Sequence, residues 1–93
     1  MKISYKGDYA LKAMLHLALR YDSGTVTAIN EIAATNDIPR KFLEQIMLIL
    51  KGAGLVESRR GIGGGFFLKR PPAEIRLGEV VRLIEGDIEP IAC

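Results

Sequence analysis

A glycine-rich run, Gly61-Ile62-Gly63-Gly64-Gly65, lies between two short segments that each begin with apolar residues and end with basic ones, residues 55–60 and 66–70. Segments of this length on either side of a glycine turn predict two antiparallel strands, that is, a β-hairpin. Glycine lacks a Cβ, so it adopts positive φ and lets the backbone come close to another molecule. Four glycines in five residues exceed what a turn requires. The run therefore predicts a ribbon whose tip suits close approach to a partner.

Upstream of the hairpin, apolar residues recur at helical spacing and predict three helices. Helix one is expected at about residues 6–21, helix two at about 28–35 and helix three at about 39–51. Asp22-Ser23-Gly24 ends helix one, and Thr27 is the expected N-cap of helix two. Pro39 suits the first position of helix three, and Gly52 ends it. The short turn between helices two and three is typical of a helix-turn-helix.

Helix three divides into two faces. The apolar face is expected to pack against the first two helices and carries Phe42, Leu43, Ile46, Met47 and Leu50. The other face carries Arg40, Lys41, Glu44, Gln45 and Leu48. In a helix-turn-helix, the N-terminal residues of the second helix reach base edges in the major groove. Arginine or lysine donates to guanine, glutamine binds adenine and glutamate accepts from cytosine, so the polar face predicts base recognition.

Glu44 is an acid on an otherwise basic surface, where it would repel phosphate. We therefore expect it to read a base or to orient Arg40, four residues earlier. The alternative is an exposed ion pair between the two side chains, which would contribute only about 0.3–0.5 kcal/mol.

Positive charge concentrates on the predicted helix-turn-helix and hairpin. Residues 1–38 carry four Lys/Arg and four Asp/Glu, residues 39–70 carry seven and two, and residues 71–93 carry two and five, which gives net charges of 0, +5 and −3. A basic segment that coincides with a helix-turn-helix indicates contact with nucleic acid.

The hairpin carries its own candidate DNA contacts. Arg59 and Arg60 lie at the turn, where an arginine enters a narrow minor groove, and Lys69 follows in the second strand. Gly61 and Gly63 let the backbone approach the duplex. The hairpin is thus predicted to be a wing that contacts phosphates or the minor groove.

Ninety-three residues suit one domain with a single core. We expect residues 1–93 to form a winged helix-turn-helix, mainly α with a small β-hairpin. The expected parts are the helix-turn-helix at about residues 28–51, the wing at about 55–70 and a last helix at about 77–85. Ile75 is expected to add a short third strand.

Other classes of protein are disfavoured. No stretch approaches the roughly 20 apolar residues of a membrane span, and no secretory signal is present. One cysteine, Cys93, forms no internal disulfide, so a cytoplasmic location is expected. His16 has no partner at metal-ligand spacing and is expected to be a packed or surface histidine. The glycine run lacks the Lys-Ser/Thr of a phosphate-binding loop, and the chain shows no nucleophile–base pair, so an enzyme is not expected.

These features resemble the Rrf2 family of bacterial regulators, the type that includes IscR, NsrR and CymR. The resemblance covers essentially the whole chain and is carried by Lys6-Gly7-Asp8-Tyr9-Ala10, Phe42-Leu43-Glu44-Gln45-Ile46, Gly54-Leu55-Val56 and, most specifically, Arg60-Gly61-Ile62-Gly63-Gly64-Gly65-Phe66. It implies a homodimeric winged-helix transcription regulator that binds palindromic operators in double-stranded DNA. We expect a repressor, although the sequence does not distinguish repression from activation. The family's groove-reading helix corresponds to Arg40, Lys41, Glu44 and Gln45, and its wing arginine to Arg60.

Family members that hold an iron–sulfur cluster carry a cysteine at about the position of Cys93 and two more downstream. A [2Fe–2S] cluster needs four ligands, which Cys93 and a distant His16 cannot supply. No cofactor is therefore expected in this chain alone, and Cys93 is a candidate ligand only in a longer parent protein.

The family's long dimerisation helix is also absent. The chain is either truncated or a naturally short relative; we favour truncation, because Ile91-Ala92-Cys93 ends on apolar residues with nothing to pack against.

Two alternatives stand beside sequence-specific DNA binding. One is an iron–sulfur or redox-responsive regulator whose sensing segment lies beyond residue 93. The other is a winged-helix module for protein interaction, with Leu48 and exposed aromatic side chains engaging a partner. The charge of residues 39–70 disfavours the second alternative, because charged residues are depleted in the cores of protein interfaces.

Overall fold

A computed structural model describes residues 5–88 of the chain. The helices and strands are α1 (Tyr5–Leu19), α2 (Ile29–Asn36), α3 (Arg40–Gly52), β1 (Val56–Arg59), β2 (Gly65–Leu68) and α4 (Leu77–Ile88). β1 and β2 form a two-stranded antiparallel sheet. The predicted class, mainly α with a small β-hairpin in the order of a winged helix-turn-helix, is confirmed.

Helix α1 is the scaffold of the domain and packs against α2, α3, α4 and β2. Its buried side chains are small or flexible: Ala10, Ala13, Met14 and Leu17. The two alanines let neighbouring helices come close. The helix ends at Leu19, before the predicted end at Tyr21, because residues 21–23 form a single 3-10 turn that Gly24 closes at a φ of 73°.

Helix α3 buries four large apolar side chains in the core. Leu43, Ile46 and Leu50 have no exposed surface and Met47 is 1% exposed. Full burial of such a side chain contributes about 1.5–3 kcal/mol. Phe42 lies half-buried at the edge of this face, with its ring stacked on that of Tyr9 at 6.3 Å between centroids. The predicted apolar face of the third helix is confirmed.

The turn between α2 and α3 is short and specified by few residues. Asp37 takes a left-handed conformation with a φ of 55°, and the backbone N–H of Ile38 donates to the carbonyl of Ala33 at 2.9 Å. Pro39 was expected at the first helical position, but its ψ of 132° makes it the N-cap. Its carbonyl accepts the first helical hydrogen bonds, from Phe42 and Leu43 at 3.1 Å.

Thr27 was expected to cap α2, and that prediction is wrong. Ala28 is the N-cap and makes no side-chain capping bond. Thr27 instead exchanges two backbone hydrogen bonds with Phe66 of β2, each 2.8 Å long. This pairing places the Thr27 side chain in the core at 1% exposure, where its hydroxyl has no hydrogen-bond partner among the described residues.

The third strand expected at Ile75 is also wrong. Residues 72–74 form a 3-10 turn, and the N–H of Ile75 donates to the carbonyl of Pro72 at 3.1 Å. Outside the hairpin, β2 pairs instead with Thr27, which lies earlier in the chain. Pro71 and Pro72 lack N–H donors and so could not extend a ladder toward Ile75.

The wing is anchored at its base. Val56 pairs with Leu68 and Arg59 pairs with Gly65, so the open end of the hairpin lies against the core. Leu55 is 1% exposed and Phe66 packs against the buried cluster. The predicted anchoring by Leu55 and one of the two phenylalanines is therefore confirmed.

Helix α4 packs against α1 through Val80 and Ile84, which have no exposed surface, and Val81, which is 5% exposed. It continues to Ile88, beyond the predicted end near Glu85.

The glycines of the wing tip have separate structural reasons. Gly61 and Gly63 adopt φ values of 102° and 77°, a region that other residues avoid. A Cβ on Gly64 would lie 2.3 Å from the carbonyl oxygen of Arg59, and one on Gly65 would lie 2.3 Å from that of Thr27. The number of glycines is thus explained by the packing of the hairpin itself, contrary to the expectation that it exceeds what a turn requires.

We predict that Gly65→Ala destabilises the domain by about 3 kcal/mol, because the methyl group meets backbone atoms that must move. Gly86→Ala is the matched control, since a Cβ there meets nothing within 4 Å and alanine favours a helix. That control should raise stability by about 0.5–1 kcal/mol. Urea unfolding measures both, and equal effects of the two substitutions would contradict the close packing at Gly65.

Candidate nucleic-acid interface

The outward face of α3 carries the four predicted base-reading side chains. Arg40, Lys41, Glu44 and Gln45 are all exposed, whereas the opposite face of the helix is buried. All four lie in the first half of the helix, where side chains of a recognition helix reach base edges. Leu48 follows on the same face and is 70% exposed. The structure therefore brings together the residues that the sequence assigned to one surface.

Arg40 is held by two acceptors. Its Nε donates to Oε2 of Glu44 at 3.0 Å, and its Nη1 donates to Oδ1 of Asn30 at 2.9 Å. The expected link between Arg40 and Glu44 is present. Asn30 belongs to α2 and was not identified from the sequence, because ten residues separate it from Arg40. Only the packing of α2 against α3 brings the two side chains together.

Lys41 lies beside the aromatic ring of Phe42 at the start of α3. Its Nζ is 5.4 Å from the centroid of the Phe42 ring, within the range of a cation–π contact. No acid among the described residues pairs with Lys41. Its charge is therefore free to meet an anion.

The wing tip carries two arginines in different settings. Arg59 is the last residue of β1, and its guanidinium carbon lies 5.7 Å from the centroid of the Phe67 ring. Arg60 follows in the turn, is exposed and forms no ion pair within the described part of the chain. Gly61 comes next, and together with Gly63 it bends the backbone through positive φ. The tip thus presents exposed cationic charge on a closely packed turn.

At the base of the wing, acidic side chains offset the positive charge more than at the tip. Glu57 lies between Lys51 and Lys69, with Nζ–carboxylate distances of 3.8 and 3.9 Å. Lys51 also donates to the hydroxyl of Ser58 at 2.7 Å, and Arg70 lies 4.0 Å from Glu79. The predicted contact residue Lys69 therefore shares a carboxylate with a second lysine.

His16 links α1 to α2 and is mostly buried, with 9% of its side chain exposed. One ring nitrogen lies 3.2 Å from Glu31 and the other lies 3.0 Å from Asn36. Glu31 also binds Arg20. Both imidazole nitrogens are engaged within the protein, so His16 does not fit a role as a cluster or metal ligand.

Between residues 5 and 88, no group of three or more His, Cys, Asp or Glu side chains could hold a metal ion. Cys93, the candidate cluster ligand, lies outside the described residues. No helix within that range is both long and apolar enough to cross a membrane.

The exposed Arg40–Glu44 pair should contribute little to stability. Its side chains are 57% and 53% exposed, so Glu44→Ala should change the free energy of unfolding by less than about 0.5 kcal/mol. Lys12→Ala breaks a comparable exposed pair with Asp8 on α1 and should behave alike. Chemical unfolding of both variants checks this, and a loss above about 1 kcal/mol for Glu44→Ala alone would show that the pair supports the fold.

Comparison with known proteins places this geometry in a family. An rrf2-like HTH-type transcriptional regulator of Rhodobacter capsulatus is 45% identical over 93 residues, which cover 98% of this chain and 62% of that protein. The HTH-type transcriptional regulator CymR of Bacillus subtilis is 43% identical over 91 residues, which cover 98% of this chain and 65% of CymR. The chain thus spans less than two thirds of the length of these curated relatives.

The solved structure of CymR, the global cysteine regulator of B. subtilis, superposes with a TM-score of 0.86 at 41% identity, covering 100% of this chain and 71% of that one. These relatives are transcriptional regulators, not enzymes. The Rrf2 family model, described as an iron-dependent transcriptional regulator, matches residues 3–93. The chain belongs to the Rrf2 family.

Proposed function

We propose that this chain is the DNA-binding part of a transcriptional regulator that recognises a specific duplex sequence. One observation carries the proposal: α3 exposes Arg40, Lys41, Glu44 and Gln45 on one face while its other face is fixed in the core. A helix held in this way is a rigid element, and rigid elements place recognition groups more accurately than loops do. The relatives, all named as helix-turn-helix regulators, support the same function.

In the proposed complex, α3 lies in the major groove. Arg40 and Lys41 donate to guanine, Gln45 binds adenine, and the carboxylate of Glu44 accepts from the amino group of cytosine. Helix α2 then crosses the phosphate backbone, as the first helix of a helix-turn-helix does. This arrangement uses all four exposed polar side chains in the first half of α3.

The wing contributes affinity that does not depend on sequence. Arg59 and Arg60 approach phosphates or the minor groove, and the backbone at Gly61 and Gly63 allows the tip to come close. Glu57 pairs with both Lys51 and Lys69. When Glu57 pairs with Lys51 alone, Lys69 is available for a phosphate contact. Arg59 and Arg60 are exposed and have no acidic partner between residues 5 and 88, which supports this assignment.

We further propose that the full protein is a homodimer that binds a palindromic operator and represses transcription. Two half-sites would then lie about 34–36 Å apart, one turn of the double helix. Exposed apolar side chains on α1 and at the start of α4 support association: Leu15 at 60%, Leu19 at 79% and Leu77 at 63% exposure. Selection of bound duplexes from a random pool tests the operator symmetry, and a promoter–reporter assay tests repression.

A second candidate function is iron–sulfur or redox sensing by a longer parent protein. The description of the family model as iron-dependent favours it. The described residues do not supply the ligands, so the sensing segment would include Cys93 and cysteines beyond it. Ultraviolet–visible absorption of the anaerobically purified full-length protein tests this proposal. A colourless, iron-free protein would contradict it without affecting the proposal of DNA binding.

We predict that Arg60→Ala weakens binding to every duplex and makes the salt dependence less steep. Loss of one phosphate contact reduces the slope of log affinity against log salt by about 0.9. Fluorescence anisotropy with a labelled duplex at several salt concentrations measures both effects. Lys12→Ala removes the same charge from α1, outside the helix-turn-helix and the wing, and should leave the slope unchanged. An unchanged slope in Arg60→Ala as well would remove the wing tip from the interface.

We predict that Glu44→Ala relaxes discrimination between operator variants by about 1–3 kcal/mol, because an acid that accepts from cytosine is lost. The measurement compares affinities for the selected duplex and for duplexes with single base-pair changes. If the affinity instead rises equally for all duplex sequences, Glu44 acts through its charge alone and does not read a base.

A further inference from the structure

We infer that Asn30 is a positioning residue for Arg40 and thereby determines specificity at one base pair. The inference rests on the proposed function and extends it to a residue of α2 that carries no charge. Asn30 is the second residue of α2 and is exposed. Its amide oxygen accepts a hydrogen bond from Nη1 of Arg40 at 2.9 Å. An uncharged residue on the neighbouring helix thus contacts the first residue of the recognition helix directly.

The guanidinium of Arg40 is held from two directions. Glu44 lies one turn along α3 and accepts from Nε at 3.0 Å, whereas Asn30 approaches from α2. A single acceptor would leave the planar group free to rotate about its bond to that acceptor. Two acceptors on different helices fix both its position and the direction of its plane. The orientation of Arg40 therefore depends on the α2–α3 packing as well as on its own helix.

The held guanidinium keeps donors available. Arginine has five N–H groups in a planar fork, and the contacts to Glu44 and Asn30 use one on Nε and one on Nη1. Both N–H groups of Nη2 and the second on Nη1 have no acceptor among the described residues. Bidentate recognition of guanine uses two such donors toward O6 and N7. The geometry points to guanine as the base that Arg40 reads.

Stability is a poor explanation for this arrangement. More than half of each side chain in the Arg40–Glu44 pair is exposed, and exposed pairs add little to folding. Preorganisation explains the arrangement better, because a side chain that is already oriented loses less conformational freedom on binding. An arginine side chain loses much conformational entropy when it is fixed from a fully mobile state. By holding Arg40 in the free protein, Asn30 would reduce the conformational freedom that Arg40 loses when the duplex binds.

Two other roles for Asn30 give different outcomes. If Asn30 read a base itself, it would bind adenine, and its removal would alter preference at a different base pair from that of Arg40. If Asn30 held Arg40 away from the duplex, its removal would tighten binding. The experiment must therefore locate the affected base pair as well as measure affinity.

The test uses the full-length protein and a duplex enriched by the wild type from a random pool, together with its single base-pair variants. Arg40→Ala identifies the base pair that Arg40 reads. Asn30→Ala should lower the preference for guanine at that same pair by about tenfold, without a change in the salt slope. Asn30→Asp keeps the acceptor oxygen and should retain the preference, although its added charge weakens binding to all duplexes.

Thr35→Ala is the matched control, since it removes an exposed polar side chain elsewhere on α2, and thermal unfolding confirms that each variant is folded. Combining Asn30→Ala with Arg40→Ala should add no further loss of preference beyond Arg40→Ala alone. Retained preference in Asn30→Ala, tighter binding to every duplex, or a change at another base pair would each overturn the inference. If the wild type enriches no sequence at all, the proposed function fails first.

Discussion

The pairing of Thr27 with Phe66 is the contact on which the geometry of the candidate interface depends. Two backbone hydrogen bonds of 2.8 Å join the segment before α2 to β2, so the wing is tied to the helix-turn-helix as well as to its own turn. Gly65 permits this approach, because any Cβ there would overlap the carbonyl of Thr27. The buried hydroxyl of Thr27 is left unpaired among the described residues, at a cost of about 1–3 kcal/mol. That cost is tolerated where two backbones must meet, and the wing is consequently tied to the segment that begins the helix-turn-helix.

The residues that stabilise the fold and those proposed to recognise DNA lie on different faces of α3. Leu43, Ile46 and Leu50 are fully buried and hold α3 in place, while the polar groups opposite them make exposed contacts that add little to folding. A substitution on the outer face can therefore change binding without unfolding the domain. This separation makes the binding experiments on Arg40 and Glu44 interpretable.

Most of the fold could be predicted because it follows from local patterns: apolar spacing placed the helices, and the glycine run placed the hairpin. The error at Thr27 occurred where a distant backbone decided the outcome, whereas the error at Ile75 has a local cause. Thr27 has the chemistry of an N-cap, but β2 engages its backbone, and Ile75 follows two prolines that cannot pair. The candidate site divides in the same way. The Arg40–Glu44 link follows from helical spacing, whereas Asn30 joins it only through the packing of α2 on α3, which no local pattern reveals.

The distribution of ion pairs indicates where a duplex would first be attracted. Lys51 and Lys69 share the carboxylate of Glu57, so the base of the wing offers little unopposed charge. Arg60 at the tip and Lys41 on α3 have no acidic partner among the described residues. At physiological salt the screening length is about 8 Å, so a phosphate responds to charges close to it and hardly to the net charge of +2. Lys41 and Arg60 therefore offer unopposed charge at the start of α3 and at the wing tip, the two places where the proposed complex needs contact.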